Sequence, residues 1–572
     1  MLDIAQLIQE VNERRGLLFQ PASCRSEEYI AEFAGRVDGI GVLVLAFPKH
    51  FPIQIPDIYL QDTTTPHLHV ESDGKICLTD ESSLLINISD PCQLIMDCID
   101  LAFKTLDLTP KTEEYEHALQ NEFLSYWGLR SHGFIAHSIL HIPTEEIVCR
   151  EYPAFPFEKS YLVADSREEA QAYINNTLHR EEKIEKPERM VLVIKLKNGC
   201  MLPSPFKQFD WSKTLRYILD NTDAETRQQF LSYIYTPIKK RTLSILLVVP
   251  RKGGDIVFGV TIRFNNNHKM PMVASKTKAV LHVNVIRRDY DYLLSRCGAT
   301  SSLKSKKVLL LGCGSIGGFI ANNLCQMGIT QLDLLDDDVF RAENIHRHFL
   351  GFEGIRRHGS TNKADLLSSI LGEKYAYLDI DPLNYSERSV EEVVLSSPEK
   401  LLAYDLVISA LGEPTINLEI NRLLVEQNLK IPFIVCFNEP YGIGGHIITT
   451  NISENSCLRC YYSEITAGTL SSFLGSLVAP DQNFKRSISG CAGTFVPYST
   501  LDSQQTAIHA ARKAVAVLNG ALTNNDLFTW KGDSSLLVSH GFQASPLFNN
   551  THTIHDFSNP SCPICKRRHK KH

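Results

Sequence analysis

The sequence predicts an α/β chain of several domains whose C-terminal part is a Rossmann-like nucleotide domain, and three observations predict it. First, the apolar run Val308-Leu309-Leu310-Leu311 feeds into Gly312-x-Gly314-x-x-Gly317 and then a second strand ending at Asp336. That order is strand, glycine turn, helix, strand, the arrangement that brings backbone N–H groups to a phosphate at a helix N-terminus. Second, two Cys-x-x-Cys pairs, Cys457/Cys460 and Cys562/Cys565, follow it in the same region. Third, the first ~110 residues have the size and pattern of a separate α+β domain. The expected division is residues 1–112, a mixed α/β linker module over 113–290, and the nucleotide domain with its cysteine pairs over 291–572.

The glycine turn alone would suit an NAD enzyme, with Asp336 accepting hydrogen bonds from a ribose. The residues after it change that reading. Asp336, Asp338, Asn344, Arg347 and Lys363 place acids, an amide and two cations within one short segment. Hydride transfer has no use for so many charges beside its nucleotide. Splitting a triphosphate does, since Mg²⁺ takes carboxylates and the reacting phosphorus takes cations.

With those residues in place the segment resembles the ThiF/MoeB and ubiquitin-activating family, which adenylates the C-terminal carboxylate of a small protein. The family's D-x-D-x-V, N-x-x-R and downstream lysine stand here in close form as Asp336-Asp337-Asp338-Val339, Asn344-Ile345-His346-Arg347 and Lys363. The resemblance implies ATP on the glycine turn, with Arg347 and Lys363 acting on the phosphates. It departs at one point. Where the family carries a further metal-binding aspartate after the strand Asp405-Leu406-Val407, this chain has Gly412 and then Glu413. Glu413, one methylene longer, and Asp338 are left as the carboxylates for Mg²⁺.

Composition fits a multidomain enzyme. The chain has 572 residues, 43% of them hydrophobic, and a net charge of −7, which argues against a general nucleic-acid binder. Its basic run, Lys566 to His572, reads as a solvated tail. The charged start MLDIAQLIQEVNERR is no apolar leader, and no stretch suits a membrane span, so a cytoplasmic location is expected. Fifteen cysteines then point to thiols used for metal or catalysis. Two Cys-x-x-Cys knuckles close one tetrahedral Zn²⁺ site, so Cys457, Cys460, Cys562 and Cys565 are the expected structural zinc ligands.

Between the pairs lies Ser489-Gly490-Cys491-Ala492-Gly493, ahead of a helix over 503–518 that Ser499, Thr500 or Asp502 could cap. A thiolate near a helix N-terminus is activated for attack on an acyl-adenylate. The activating family places its acyl-accepting cysteine at this point, which makes Cys491 the candidate. Cys313, Cys325 and Cys436 sit in apolar surroundings and suit buried small side chains.

The N-terminal domain opens with an amphipathic helix over 2–15 and a strand over 40–46. Then come Pro48, Pro52 and Pro56, whose spacing excludes helix and central strand. Beyond them lie His67-Leu68-His69 and Gly74-Lys75-Ile76-Cys77-Leu78. This order resembles the ubiquitin-conjugating fold, and the resemblance makes Cys77 the thioester-forming residue. Eight residues before it, where that family has the asparagine of H-P-N, stands His69, which can still donate a hydrogen bond to an oxyanion.

Residues 115–300 give strands at 189–196, 242–249 and 255–264, a helix at 166–176 and another at 223–235 opened by Thr222-Asp223-Ala224-Glu225. In enzymes that this segment resembles, an arginine just before the nucleotide domain reaches a neighbour's ATP, which would be Arg296 here, although a surface ion pair is the role expected of it first. Conjugating half first and activating half second is similar to the bacterial fusion enzymes that accompany cGAS-like nucleotidyltransferases in CBASS antiphage operons. That resemblance implies a homodimer that activates the nucleotidyltransferase's C-terminus and passes it to an amine, with no nucleic acid or membrane as partner. Two other readings stay open: a sulfur-carrier adenylyltransferase of ThiF/MoeB type, and a non-catalytic ubiquitin-like binding scaffold.

Overall fold

A computed structural model describes residues 2–61, 67–71, 73–78, 86–107, 112–131, 133–142, 148–204, 210–235, 242–252, 254–264, 277–295, 297–298, 301–356, 362–375, 377–382, 389–454, 456–463, 472–487, 494–549, 554–555 and 559–565. Cys491, Arg296 and the basic tail after 565 lie outside them. The chain packs as two compact units, and neither is continuous in sequence. One comprises residues 1–136, 143–151 and 190–286; the other comprises 137–142, 152–189 and 287–572.

In the first unit, the helix Ile4–Arg15 starts at Asp3, whose side chain accepts the Gln6 N–H, and stops at Gly16 in the left-handed region. Its buried stripe Ile4, Ile8 and Val11 packs on an antiparallel sheet ordered Gln20–Ala22, Tyr29–Val37, Gly41–Pro48, Asp57–Gln61. The helix Pro91–Leu106, capped by Asp90 with a proline in its first turn, supplies Ile95, Ile99 and Ala102 to the same core. The proline-bearing segment ends one strand at Pro48 and crosses to the next at Asp57, as its composition requires.

A second core in this unit lies between the helices Glu113–Leu129, Trp211–Asn221 and Ala224–Tyr235 and the strands Arg189–Lys195, Thr242–Val249 and Ile256–Phe264. Arg189–Lys195 runs parallel to Thr242–Val249, which is antiparallel to Ile256–Phe264. Ala224–Tyr235 is opened by Asp223, whose carboxylate takes the Thr226 N–H at 2.8 Å, and not by Thr222, whose hydroxyl donates to Ile218. Leu119, Phe123 and Trp127 of Glu113–Leu129 bury against Phe258, and Leu68 joins the same cluster. That last contact ties this helix to the His67–His69 turn.

The second unit holds an eight-stranded sheet ordered Asp379–Asp381, Gln331–Leu335, Lys307–Leu311, Leu406–Ser409, Phe433–Asn438, Gly444–Thr450, Asp526–Lys531, Ile554–His555. The first five strands are parallel and the rest antiparallel. The central strand shows no alternation of buried and exposed positions; Val308 to Leu311 are all buried, because helices cover both faces. The helix Thr500–Leu518 begins three residues earlier than its apolar pattern suggests. Ser499 and Asp502 form a reciprocal capping box there, and Ala507, Ala510 and Ala514 pack in the core beside the helix Gly317–Gln326.

Candidate functional site

The glycine turn takes the shape its sequence predicts. Gly312 has φ +87°, and a side chain at Gly317 would put its Cβ 1.9 Å from the Gly312 carbonyl oxygen, so the helix start and the strand end touch without room for one. Gly314 faces open space instead. Beyond the turn is a cavity of about 570 Å³ lined by Gly314, Asn344, Arg347, Lys363 and Asn417, with Phe437, Phe473, Phe495, Tyr462 and Tyr498 among its apolar walls. A lining that combines cations, amides and aromatic rings suits a phosphorylated ligand joined to an apolar or planar one.

Asp336 is half-buried behind this turn. Its carboxylate accepts the Cys313 N–H at 2.6 Å and the Asp338 N–H at 2.9 Å, and burial pushes its pKa up despite the Lys363 charge. It therefore braces the turn and retains lone pairs for a further donor. Burial also opposes charge on Asp338, but its hydrogen bond to the Lys363 ammonium holds its pKa below the ordinary value. Asn362 caps the helix Lys363–Lys374 and donates to the Asp336 carbonyl at 2.8 Å, which fixes Lys363 at the cavity. Asn344 is buried and accepts the Arg341 N–H at 2.9 Å. Arg347 is exposed and forms no ion pair with the described residues, so its guanidinium is left for an anionic ligand. Glu413 is exposed just before the helix Pro414–Glu426, while its neighbours Gly412 and Pro414 line the cavity.

His348 was missed in the sequence. It is buried under the glycine turn: the Leu350 N–H donates to Nδ1 at 3.1 Å, so the ring proton lies on Nε2, which bonds the Cys313 carbonyl at 2.5 Å. Burial lowers its pKa to about 4. A histidine with a depressed folded pKa contributes no pH-dependent penalty above its ordinary ~6.5. Below that value the unfolded chain binds a proton that the folded one refuses, so stability falls until about pH 4. Between pH 7 and pH 5 the expected loss is about 2 kcal/mol. Urea titrations at both pH values should show it, and His348→Gln should shrink the difference.

The four cysteines of the two pairs converge. All are buried, with Cys457 Sγ 3.7 Å from Cys562 Sγ and Cys460 Sγ 3.5 Å from Cys565 Sγ. All four sulfurs lie within 4.8 Å of one another. Ligands ~2.3 Å from a tetrahedral Zn²⁺ stand ~3.8 Å apart, so the donor set and spacing fit that ion. Cys313, Cys325 and Cys436 are buried, and burial raises each thiol's pKa.

In the first unit, Gly74 (φ +90°) brings the chain against the strand Asp57–Gln61. A Cβ there would lie 2.4 Å from the Leu60 oxygen, and Leu60 and Ile76 make backbone bonds of 2.8 Å across this junction. Ile76 is buried and Cys77, next in sequence, is exposed. The Cys77 N–H donates to the His69 carbonyl at 2.7 Å. The sulfur of Cys77, a ring nitrogen of His69 and a carboxylate oxygen of Glu122 lie within 4.8 Å of one another. Sequence reasoning paired His69 with Cys77 but left Glu122 in a linker, since nothing local announces that its helix folds back on the Leu68 turn.

The prokaryotic E2 family B pattern matches residues 18–135 and the ThiF family pattern matches residues 290–526. The chain is a fusion of an E2-like domain and a ThiF domain. It is similar to the ATP-dependent ubiquitin transferase-like protein Cap2 of Pseudomonas aeruginosa, 22% identical over 502 residues that cover 84% of this chain and 83% of that protein. The Cap2 protein of Vibrio cholerae is 22% identical over 558 residues, 88% of this chain and 90% of its own length. The adenylyltransferase and sulfurtransferase UBA4 of Lodderomyces elongisporus is 25% identical over 213 residues, 36% of this chain and 44% of that protein. The fusion is an enzyme with an adenylation domain. No helix of the described residues is long and apolar enough to cross a membrane.

Proposed function

We propose that the chain activates the C-terminal carboxylate of a partner protein with ATP and passes it, as a thioester, to an amine. The observation that carries this is the presence in one chain of two chemistries that are consecutive: a cavity with Arg347 and Lys363 beside a glycine turn, and an exposed Cys77 beside His69. In the cavity Arg347 and Lys363 stabilise charge on the phosphates while the carboxylate attacks the α-phosphorus and pyrophosphate leaves. Asp336 takes the ribose. Asp338 and Glu413 would hold Mg²⁺, which would neutralise phosphate charge when bound, and Cys457, Cys460, Cys562 and Cys565 would hold a structural Zn²⁺. Cys491 displaces AMP to form the first thioester; Phe495, four residues along, lines the cavity. Cys77 receives the acyl group, and a lysine resolves it as an amide. Joining the two steps in one chain raises the acceptor's effective concentration.

Resemblance to the CBASS fusion enzymes makes a cGAS-like nucleotidyltransferase the activated partner, in a cytoplasmic homodimer serving antiphage defence. The test mixes the chain with the protein encoded beside it, ATP and Mg²⁺, and reads intact mass without reductant. Thiol-labile adducts at Cys491 and then Cys77 support the relay. An adduct that stays on Cys491 and survives in Cys77→Ala favours sulfur-carrier chemistry, the activity named for the UBA4 relative. ATP binding without any adduct favours a scaffold.

A further inference from the structure

Glu122 and Tyr126 stand one turn apart on the helix Glu113–Leu129, so they share a face, and that face meets His69. Glu122 Oε1 is 2.7 Å from His69 Nδ1. The Tyr126 hydroxyl accepts the His69 backbone N–H at 2.6 Å and also hydrogen-bonds the Glu122 carboxylate. His69 itself holds φ +59°, a conformation that costs a side-chain-bearing residue energy. Its backbone is gripped from both sides, by Tyr126 on its N–H and by the Cys77 N–H on its carbonyl. Three groups therefore fix this residue, though a loop residue with no task would relax. His69 and Glu122 keep about a quarter of their side-chain surface exposed, 24% and 27%, so substrate can reach them.

We infer that Glu122 and Tyr126 are positioning residues that set His69 as the proton acceptor for amine attack at Cys77, an inference that rests on the conjugating reading above. The carboxylate accepts a hydrogen bond from Nδ1–H, which leaves the imidazole lone pair on Nε2. A lysine ammonium first loses one proton to solvent. As its nitrogen bonds the thioester carbonyl carbon, the second proton passes to His69. The tetrahedral adduct then breaks its C–S bond, Cys77 leaves as thiolate and the imidazolium returns the proton to it. An amide and a thiol result, with one proton released to water. An asparagine at this place could stabilise the oxyanion but not accept the proton. Burial opposes the Glu122 charge, yet its bonds from His69 and Tyr126 keep its pKa below the ordinary value, so it remains an acceptor. Burial and the bond to Glu122 push the Tyr126 phenol up, so it remains a donor.

The test bypasses the activating half. Cys77 of the full chain is acylated with a glycine-terminated peptide mercaptoethanesulfonate thioester, the site is confirmed by peptide mass spectrometry, and discharge to free L-lysine is timed. Glu122→Gln should load like the parent chain but discharge about 10²-fold more slowly. Glu122→Asp should recover part of the rate and Tyr126→Phe should lose less than Glu122→Gln. A purely structural role would impair loading and discharge together, and Glu122→Asp would not separate them. If Glu122→Gln discharges at the parent rate, the inference is wrong while the conjugating reading stands. If the parent chain takes no acyl group on Cys77 from this probe, or takes it and never passes it to lysine, both fall.

Discussion

Arg347→Ala should lower partner-dependent ATP–pyrophosphate exchange by about 10²- to 10³-fold, the loss typical of removing one preorganised charge from a developing anion. Arg347 is singled out because its guanidinium is exposed at the cavity and forms no ion pair with the described residues, whereas Lys363 is bonded to Asp338. A cation held by no ion pair supports little of the fold, so the melting temperature should hardly change. The affinity for ATP should fall less than the exchange rate, since the charge that Arg347 meets grows in the transition state. Arg347→Lys should recover only part of the rate, because an ammonium cannot copy a planar two-toothed contact. Lys363→Ala is a different perturbation. It also leaves Asp338 without its cation, and Asp338 helps to start the next helix through its carbonyl, which accepts the Lys363 N–H at 3.0 Å. An exchange rate untouched by Arg347→Ala would remove the guanidinium from the chemistry.

Local chemistry made the ThiF half legible. A strand feeding a glycine turn and paired Cys-x-x-Cys knuckles each declare themselves within a few residues, and the structure forms the turn and brings the four cysteines together; the alanine-rich helix also forms, starting three residues early at its capping box. Contacts that depend on distant folding did not. His348 sits in a polar stretch, and only burial under the glycine turn gives it a role. Glu122 and Tyr126 look like ordinary helix surface, and the helix itself is signalled by little more than Thr112 and three glutamates in its first turn. What brings them to Cys77 is the apolar packing of Leu119, Phe123 and Trp127 on one side and Leu68 on the other. The signal available in sequence was the i, i+4 pairing of an acid with a tyrosine beside the apolar stripe of Leu119, Phe123 and Trp127. That pattern is too common to point to a site without the fold.

Removal of zinc should cost the second unit much of its C-terminal stability without ending adenylation outright. The two cysteine pairs are 105 residues apart in sequence, so an ion held by all four closes a long loop, and the sulfurs share a buried cluster with Val425 and Ile564. Sulfur separations of 3.5 and 3.7 Å are too long for disulfides, whose S–S bond is ~2.05 Å, and so short that four thiolates would need a cation among them to offset their repulsion. Elemental analysis should therefore return one zinc per chain, and Cys562→Ser should lose it. Because the ion acts as a clasp on a unit whose sheet has its own core, the expected fall in melting temperature is about 5–10 °C, not global unfolding. Four thiolates leave the metal no open position, so a chelated chain kept well below its new melting temperature should still exchange pyrophosphate. Loss of exchange under those conditions, with the fold intact by circular dichroism, would give the metal a direct part in the chemistry. Retention of the full melting temperature after chelation would show that the thiols hold this corner together through packing alone.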